Sequence, residues 1–135
     1  MKKVLVTGTF NMIHPGHLNF FKQAKEHGEL IILVARDETV KAVKGSYPTN
    51  SEAQRQARLV EAGIAKKVVL GHKDDKYKVL EQEKPDFICL GYDQHSFVDK
   101  LEEEIKKRNL KTRIIRLKPY KEEIYKSSKL EQEEG

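Results

Sequence analysis

The chain has 135 residues, the length of one ordinary domain with a moderate core, so 1–135 is read as a single domain. Its 26 Lys and Arg outnumber 21 Asp and Glu to give a formal net charge of +5, but the signs interleave; no long basic run or aromatic stacking platform points to nucleic acid, while small anionic ligands stay open. The single cysteine, Cys89, excludes an internal disulfide, and no stretch reads as a signal peptide or membrane span, so a soluble, cytoplasmic protein is expected.

Short aliphatic runs alternate with helically periodic segments along the chain. KKVLVTG (2–8) opens as a buried strand. PGHLNFFKQAKEHG (15–28) predicts a helix with Leu18, Phe21 and Ala24 on one face, Pro15 at the first helical position and Gly28 at the stop. ELIILVA (29–35) is a second strand, apolar enough to require cover on both faces. RDETVKAVKGSYPTN reads as irregular. Ser51 with Gln54 then forms a capping box opening a helix to about Ala62. KKVVLG (66–71) is the third strand, DKYKVLEQEK a helix and DFICLG (86–91) the fourth strand. SFVDKLEEEIKKRN (96–109) is a charged amphipathic helix and TRIIRL (112–117) the fifth strand; the polar tail holds at most a short helix opening near Ser127 or Ser128. This βαβ alternation predicts a parallel sheet with helices on both faces, which binds ligands beyond the C-terminal strand ends where strand order reverses.

The first strand ends in GTFNMIHPGH. Gly8 suits a tight turn, Thr9 and Phe10 offer backbone N–H groups, and the helix opening near Pro15 aims its positive end at the crevice. An anionic ligand follows. His14 and His17, three residues apart, can converge on it, and Gly16 between them leaves room for close approach. No Walker-type loop or G-x-G-x-x-G follows the strand, which disfavours P-loop NTPases and dinucleotide dehydrogenases. Read more plainly, a histidine near a helix start is a surface residue or a cap, and His27, His72 and His95 are read that way. A zinc site ranks last, because no Cys or carboxylate lies near the pair in sequence.

GTFNMIHPGH resembles the Gly-x-Phe-Asp and His-x-Gly-His motif of the cytidylyltransferase-like nucleotidyltransferases, with matching spacing. VARDETVKAVKGSYP resembles the segment carrying that family's essential lysine, which falls on Lys44; GYDQ matches its Gly-x-Asp motif, and YKSSKL lies where a Ser/Thr-rich motif opens the last helix. The phrases VARDETVK, LGYDQ and PYK followed by SS are most similar to archaeal-type FAD synthases. The resemblance implies a Rossmann-like three-layer α/β/α sandwich with a five-stranded parallel sheet in the order 3-2-1-4-5. It also implies a transfer of a nucleoside monophosphate from an NTP to a phosphorylated acceptor with release of pyrophosphate, foremost ATP and FMN to FAD. The rival is cytidylyl transfer from CTP to glycerol 3-phosphate or a sugar or polyol phosphate, and a third reading is a catalytically weak nucleotide-binding protein. A homodimer is compatible with the resemblance, although no sequence feature fixes its interface.

In such a transfer the attacking phosphate oxygen is largely ionised at neutral pH, so no protein base is needed. The site must align the partners and supply positive charge. By resemblance His14, His17 and Lys44 are the catalytic set, with Lys44 on a loop able to close over the phosphates. Nucleotide contacts are assigned to Thr9, Phe10, Asn11, Pro15, Gly16, Tyr92, Asp93, Tyr120, Ser127 and Ser128, and a divalent cation, magnesium foremost, bridges the triphosphate. No protein metal ligand is assigned. Arg55 either reaches a phosphate or solvates the outer face of its helix. Asn11 stands where the family usually has Asp, a departure that bears on metal affinity.

Overall fold

The computed structural model describes residues 2–13, 15–73, 75, 77–90 and 100–117. KVLVTG forms β1 (Lys3–Gly8), paired in parallel with β2 (Glu29–Val34) on one side and β4 (Phe87–Leu90) on the other. β3 (Lys67–Leu70) extends the sheet beyond β2, and β5 (Arg113–Arg116) extends it beyond β4. The order is therefore β3-β2-β1-β4-β5 with every pair parallel, the expected Rossmann-like arrangement.

Alternation along the central strands builds the two faces. Val4 and Val6 of β1 join Leu30, Ile32 and Val34 of β2 in one buried layer; Leu5, Ile31 and Leu33 point into the other. The first layer is covered by α1 (Pro15–Lys25) and α3 (Glu52–Ala62), through Phe21, Ala24 and Leu59. The second is covered by α4 (Lys78–Glu83) and α5 (Leu101–Lys107), through Val79, Leu80, Leu101 and Ile105. A strand buried on both sides cannot alternate apolar with polar, which is why ELIILV reads as a continuous apolar run. Burial pushes the thiol of Cys89, in β4, up to about 11, so it stays protonated and inert near neutral pH.

Three expectations are corrected. The buried face of α1 is His17, Phe21 and Ala24, whereas Leu18 is 49% exposed. The ring of Phe10 draws this face toward itself, lying 5.4 Å from the His17 ring and 5.2 Å from that of Phe21. Second, the segment read as irregular contains α2 (Asp37–Lys44). Its first turn holds Asp37 and Glu38, its last turn Lys41 and Lys44, and Gly45 closes it at φ 87, a left-handed angle that glycine adopts without strain. Third, α1 stops at Lys25, and Gly28 lies beyond it for a steric reason: a Cβ there would meet the Lys2 carbonyl oxygen at 2.5 Å.

The capping box of α3 forms as expected, with Ser51 Oγ accepting from the Gln54 N–H and Gln54 Oε1 accepting from the Ser51 N–H. The helices expected at 75–84 and 96–109 are found at Lys78–Glu83 and Leu101–Lys107, with 96–99 outside the described residues. The short helix expected near Ser127 or Ser128 also lies outside them. Among the described residues, no helix is long and apolar enough to cross a membrane.

Candidate active site

β1 ends between β2 and β4, where the strand order reverses and the ligand is expected. Gly8 is the last residue of β1, and the left-handed angle falls two residues later, on Phe10 at φ 53. Gly8 is thus required by clearance rather than by a turn, since a Cβ on it would sit 2.8 Å from Cζ of the Phe10 ring. The folded-back ring of Phe10 is buried against Phe21 and His17, which fixes the path of the chain from strand to helix.

Pro15 opens α1 and Gly16 and His17 complete its first turn, which contains no acidic residue. The positive helix end is therefore not offset by a carboxylate of its own first turn. His17 is 6% exposed, with its ring near-parallel to Phe21 and edge-on to Phe10. Thr9, Phe10 and Asn11 thus follow the end of β1 directly, Pro15, Gly16 and His17 form the first turn of α1, and the Phe10 and His17 rings hold the two together. Lys44 is exposed and ends α2, a helix rather than the expected loop. His14, Tyr92, Asp93, Tyr120, Ser127 and Ser128 lie outside the described residues, as does His95. His27 packs beside Phe87, and His72 hydrogen-bonds Gln82 at 2.8 Å, so neither joins the turn.

Neither expectation for Arg55 holds. Its side chain is fully buried, and its guanidinium donates to the carbonyls of Thr9 (2.9 Å), Ala35 (2.8 Å) and Asn50 (3.0 Å) and to the Asp37 carboxylate (2.6 Å). The planar fork of five N–H donors suits this task, spanning four acceptors from four different segments. It joins the β1 turn, the end of β2, the start of α2 and the approach to α3. Sequence periodicity places Arg on the outer face of a helix; a buried Arg is visible only once its carbonyl partners are in place.

Asn11 is also engaged. Its Oδ1 accepts from the Asn50 backbone N–H at 3.0 Å and from Asn50 Nδ2 at 3.3 Å, and its carbonyl accepts from Asn50 Nδ2 (2.8 Å) and Arg58 (3.3 Å). Because a backbone N–H can only donate, the atom facing it is the amide oxygen. Asn50 and Arg58 had no signal in the sequence beyond proximity to the Ser51 cap.

The start of α2 is held by Glu52. Its carboxylate accepts from the Asp37 N–H at 2.9 Å and from the Arg36 guanidinium at 2.7 Å, and these two partners, in that order, hold it below its ordinary value of 4.5. A carboxyl with a depressed folded value stabilises the protein above its unfolded value, and that contribution is lost as pH falls through the folded one. Glu52→Gln should therefore lose less of its urea resistance than the parent between about pH 7 and about pH 3. Equal losses would mean that Glu52 carries no such charge-dependent contribution.

Among the described residues, no group of three His, Cys, Asp or Glu side chains is arranged to hold a metal ion. The Asn11 oxygen is taken up by Asn50, and the Asp37 and Glu52 carboxylates by Arg55, Arg36 and a backbone N–H.

A parallel sheet in the order 3-2-1-4-5, with a GTF turn leading into a His-bearing helix at its switch point, is the arrangement expected of a Rossmann-like nucleotidyltransferase. The Cytidylyltransferase-like family model matches residues 5–133, and the chain belongs to that family. It is 43% identical over 121 residues to an FAD synthase of Aciduliprofundum boonei, covering 89% of this chain and 80% of that protein. An FAD synthase of Archaeoglobus profundus is 44% identical over 129 residues, covering 95% and 82%. Among solved structures, a lipopolysaccharide core biosynthesis protein of Thermoplasma volcanium superposes with a TM-score of 0.82 at 36% identity, over 89% of this chain and 98% of that one.

Proposed function

We propose that residues 1–135 act as one FMN adenylyltransferase domain, joining AMP from ATP to FMN and releasing pyrophosphate. The observation that carries this reading is identity above 40% to FAD synthases over at least four-fifths of both chains. The FMN phosphate, with a second pKa of about 6, is mostly dianionic at neutral pH and attacks without a protein base. One of its oxygens bonds to the α-phosphorus of ATP while the bond from that phosphorus to the β-phosphate bridging oxygen breaks; the electron pair leaves on pyrophosphate. His14, His17, Lys44 and the N-terminal end of α1 offset the charge that builds on the α-phosphate and leaving group.

Thr9, Phe10, Asn11, Pro15, Gly16, Tyr92, Asp93, Tyr120, Ser127 and Ser128 complete the nucleotide site in this proposal. The required divalent cation is magnesium, which neutralises charge on the triphosphate when bound. The enzyme works in the cytoplasm as a homodimer. Incubation of the purified protein with ATP, magnesium and FMN should yield FAD, resolved from FMN by chromatography; unchanged FMN would refute the assignment.

Asn11→Asp should leave the fold intact, because every bond the Asn11 side chain makes among the described residues is accepted by its oxygen, and a carboxylate accepts as well. The variant adds a negative charge beside the triphosphate, so both proteins are expected to be active at different optimal magnesium concentrations. A parent inert with every divalent ion tried, beside an active variant, would contradict this.

A further inference from the structure

Helix α2 has an unusual anchorage. Its N-cap residue is Arg36, whose side chain has no acceptor to offer the first free N–H groups. The acceptor comes instead from Glu52 of α3, whose carboxylate takes the Asp37 N–H on one oxygen and the Arg36 guanidinium on the other. Arg36 in turn donates to the Gly71 carbonyl at the end of β3, and Glu52 is itself held at the first residue of α3 by the adjoining capping box. Beyond this junction α2 buries only Val40, and Lys41 through Tyr47 are exposed. Lys44 stands at the far end of the helix, about 10 Å from Asp37 at 1.5 Å per residue. A tilt of about 10° at the anchored end would shift it by roughly 2 Å, a displacement large enough to spoil alignment with a phosphate.

We propose that Glu52 is a positioning residue for Lys44: by capping α2 from the neighbouring helix it sets the direction of α2 and hence the reach of the Lys44 ammonium toward the triphosphate. This rests on the adenylyl-transfer reading of the site. It differs from the Arg55 clamp, which meets the Asp37 side chain and leaves the Asp37 N–H to Glu52.

The test is a double-mutant cycle with Glu52→Ala, Lys44→Ala and the combined variant, together with Glu52→Gln, read by FAD turnover, by the dissociation constant for magnesium-ATP and by amide exchange at Asp37. Glu52→Ala should lower kcat by roughly 10- to 100-fold and speed exchange at Asp37, while Glu52→Gln, whose one acceptor oxygen can keep the Asp37 N–H but not the Arg36 guanidinium as well, should restore part of both. In the Lys44→Ala background Glu52→Ala should have no further effect on kcat or on nucleotide affinity. The same fold-loss in both backgrounds, or an unchanged kcat in Glu52→Ala, would overturn the proposal. If the parent forms no FAD, the adenylyl-transfer reading fails, and the nucleotide dissociation constants of the same proteins still decide the positioning. Should Glu52→Ala not fold, Arg36→Gln, which frees one Glu52 oxygen and leaves the Asp37 N–H bonded to the other, takes its place in the cycle; a smaller loss of kcat is then expected, and it too should vanish in the Lys44→Ala background.

Discussion

Replacing His17 with Phe is expected to leave a folded protein whose FAD formation falls by about 10² to 10³ in kcat, because the variant keeps a ring but loses the imidazole nitrogens that meet the developing charge. The choice of Phe matters. His17 is 6% exposed and packs against Phe10 and Phe21, so His17→Ala removes a buried ring as well as a donor and confounds stability with chemistry. Thermal unfolding and single-turnover rates on the Phe variant separate the two. Retained turnover in a protein with Phe at this position would mean that His17 serves packing alone, and the charge would then have to be met elsewhere.

The second large effect is on the fold. Arg55→Ala should cost about 3–5 kcal/mol, since it leaves the Asp37 carboxylate and the carbonyls of Thr9, Ala35 and Asn50 without their donor. That is a large share of the ~5–15 kcal/mol that holds a domain of this kind together. Arg55→Lys should recover little, because one ammonium cannot reproduce a planar fork that serves four acceptors. Urea midpoints measure both variants, and a near-parental midpoint for Arg55→Ala would show that the clamp contributes little net stability.

These two residues also mark where the sequence was legible and where it was not. The strands were readable because a parallel sheet covered on both faces demands continuous apolar runs, as in Leu30 to Val34, and α3 was readable because Ser51 and Gln54 make a local, reciprocal cap. The strand order came from family resemblance, not from periodicity, and the sheet has that order. By contrast, α2 is hard to read from the sequence although Asp37, Glu38, Lys44 and Gly45 are all in place, because a helix that buries only Val40 has almost no apolar periodicity. Periodicity puts Leu18 on the apolar face of α1 and passes over His17, because an imidazole does not count as apolar; the Phe10 ring, folded back from the turn, and Phe21 make it part of the buried face. Arg55 and Asn50 were illegible for a related reason: their partners are backbone carbonyls and side chains up to 46 residues away, which no local pattern records. The histidine motif showed where an anion belongs, while the polar connections that hold the turn needed the tertiary structure.

The measurement that bears most directly on the whole reading is pyrophosphate release by the purified protein with magnesium and either ATP or CTP, each offered FMN, glycerol 3-phosphate or a sugar 1-phosphate. Release with ATP and FMN, matched mole for mole by FAD, is the predicted result; release with CTP and a polyol or sugar phosphate but not with ATP and FMN would contradict it.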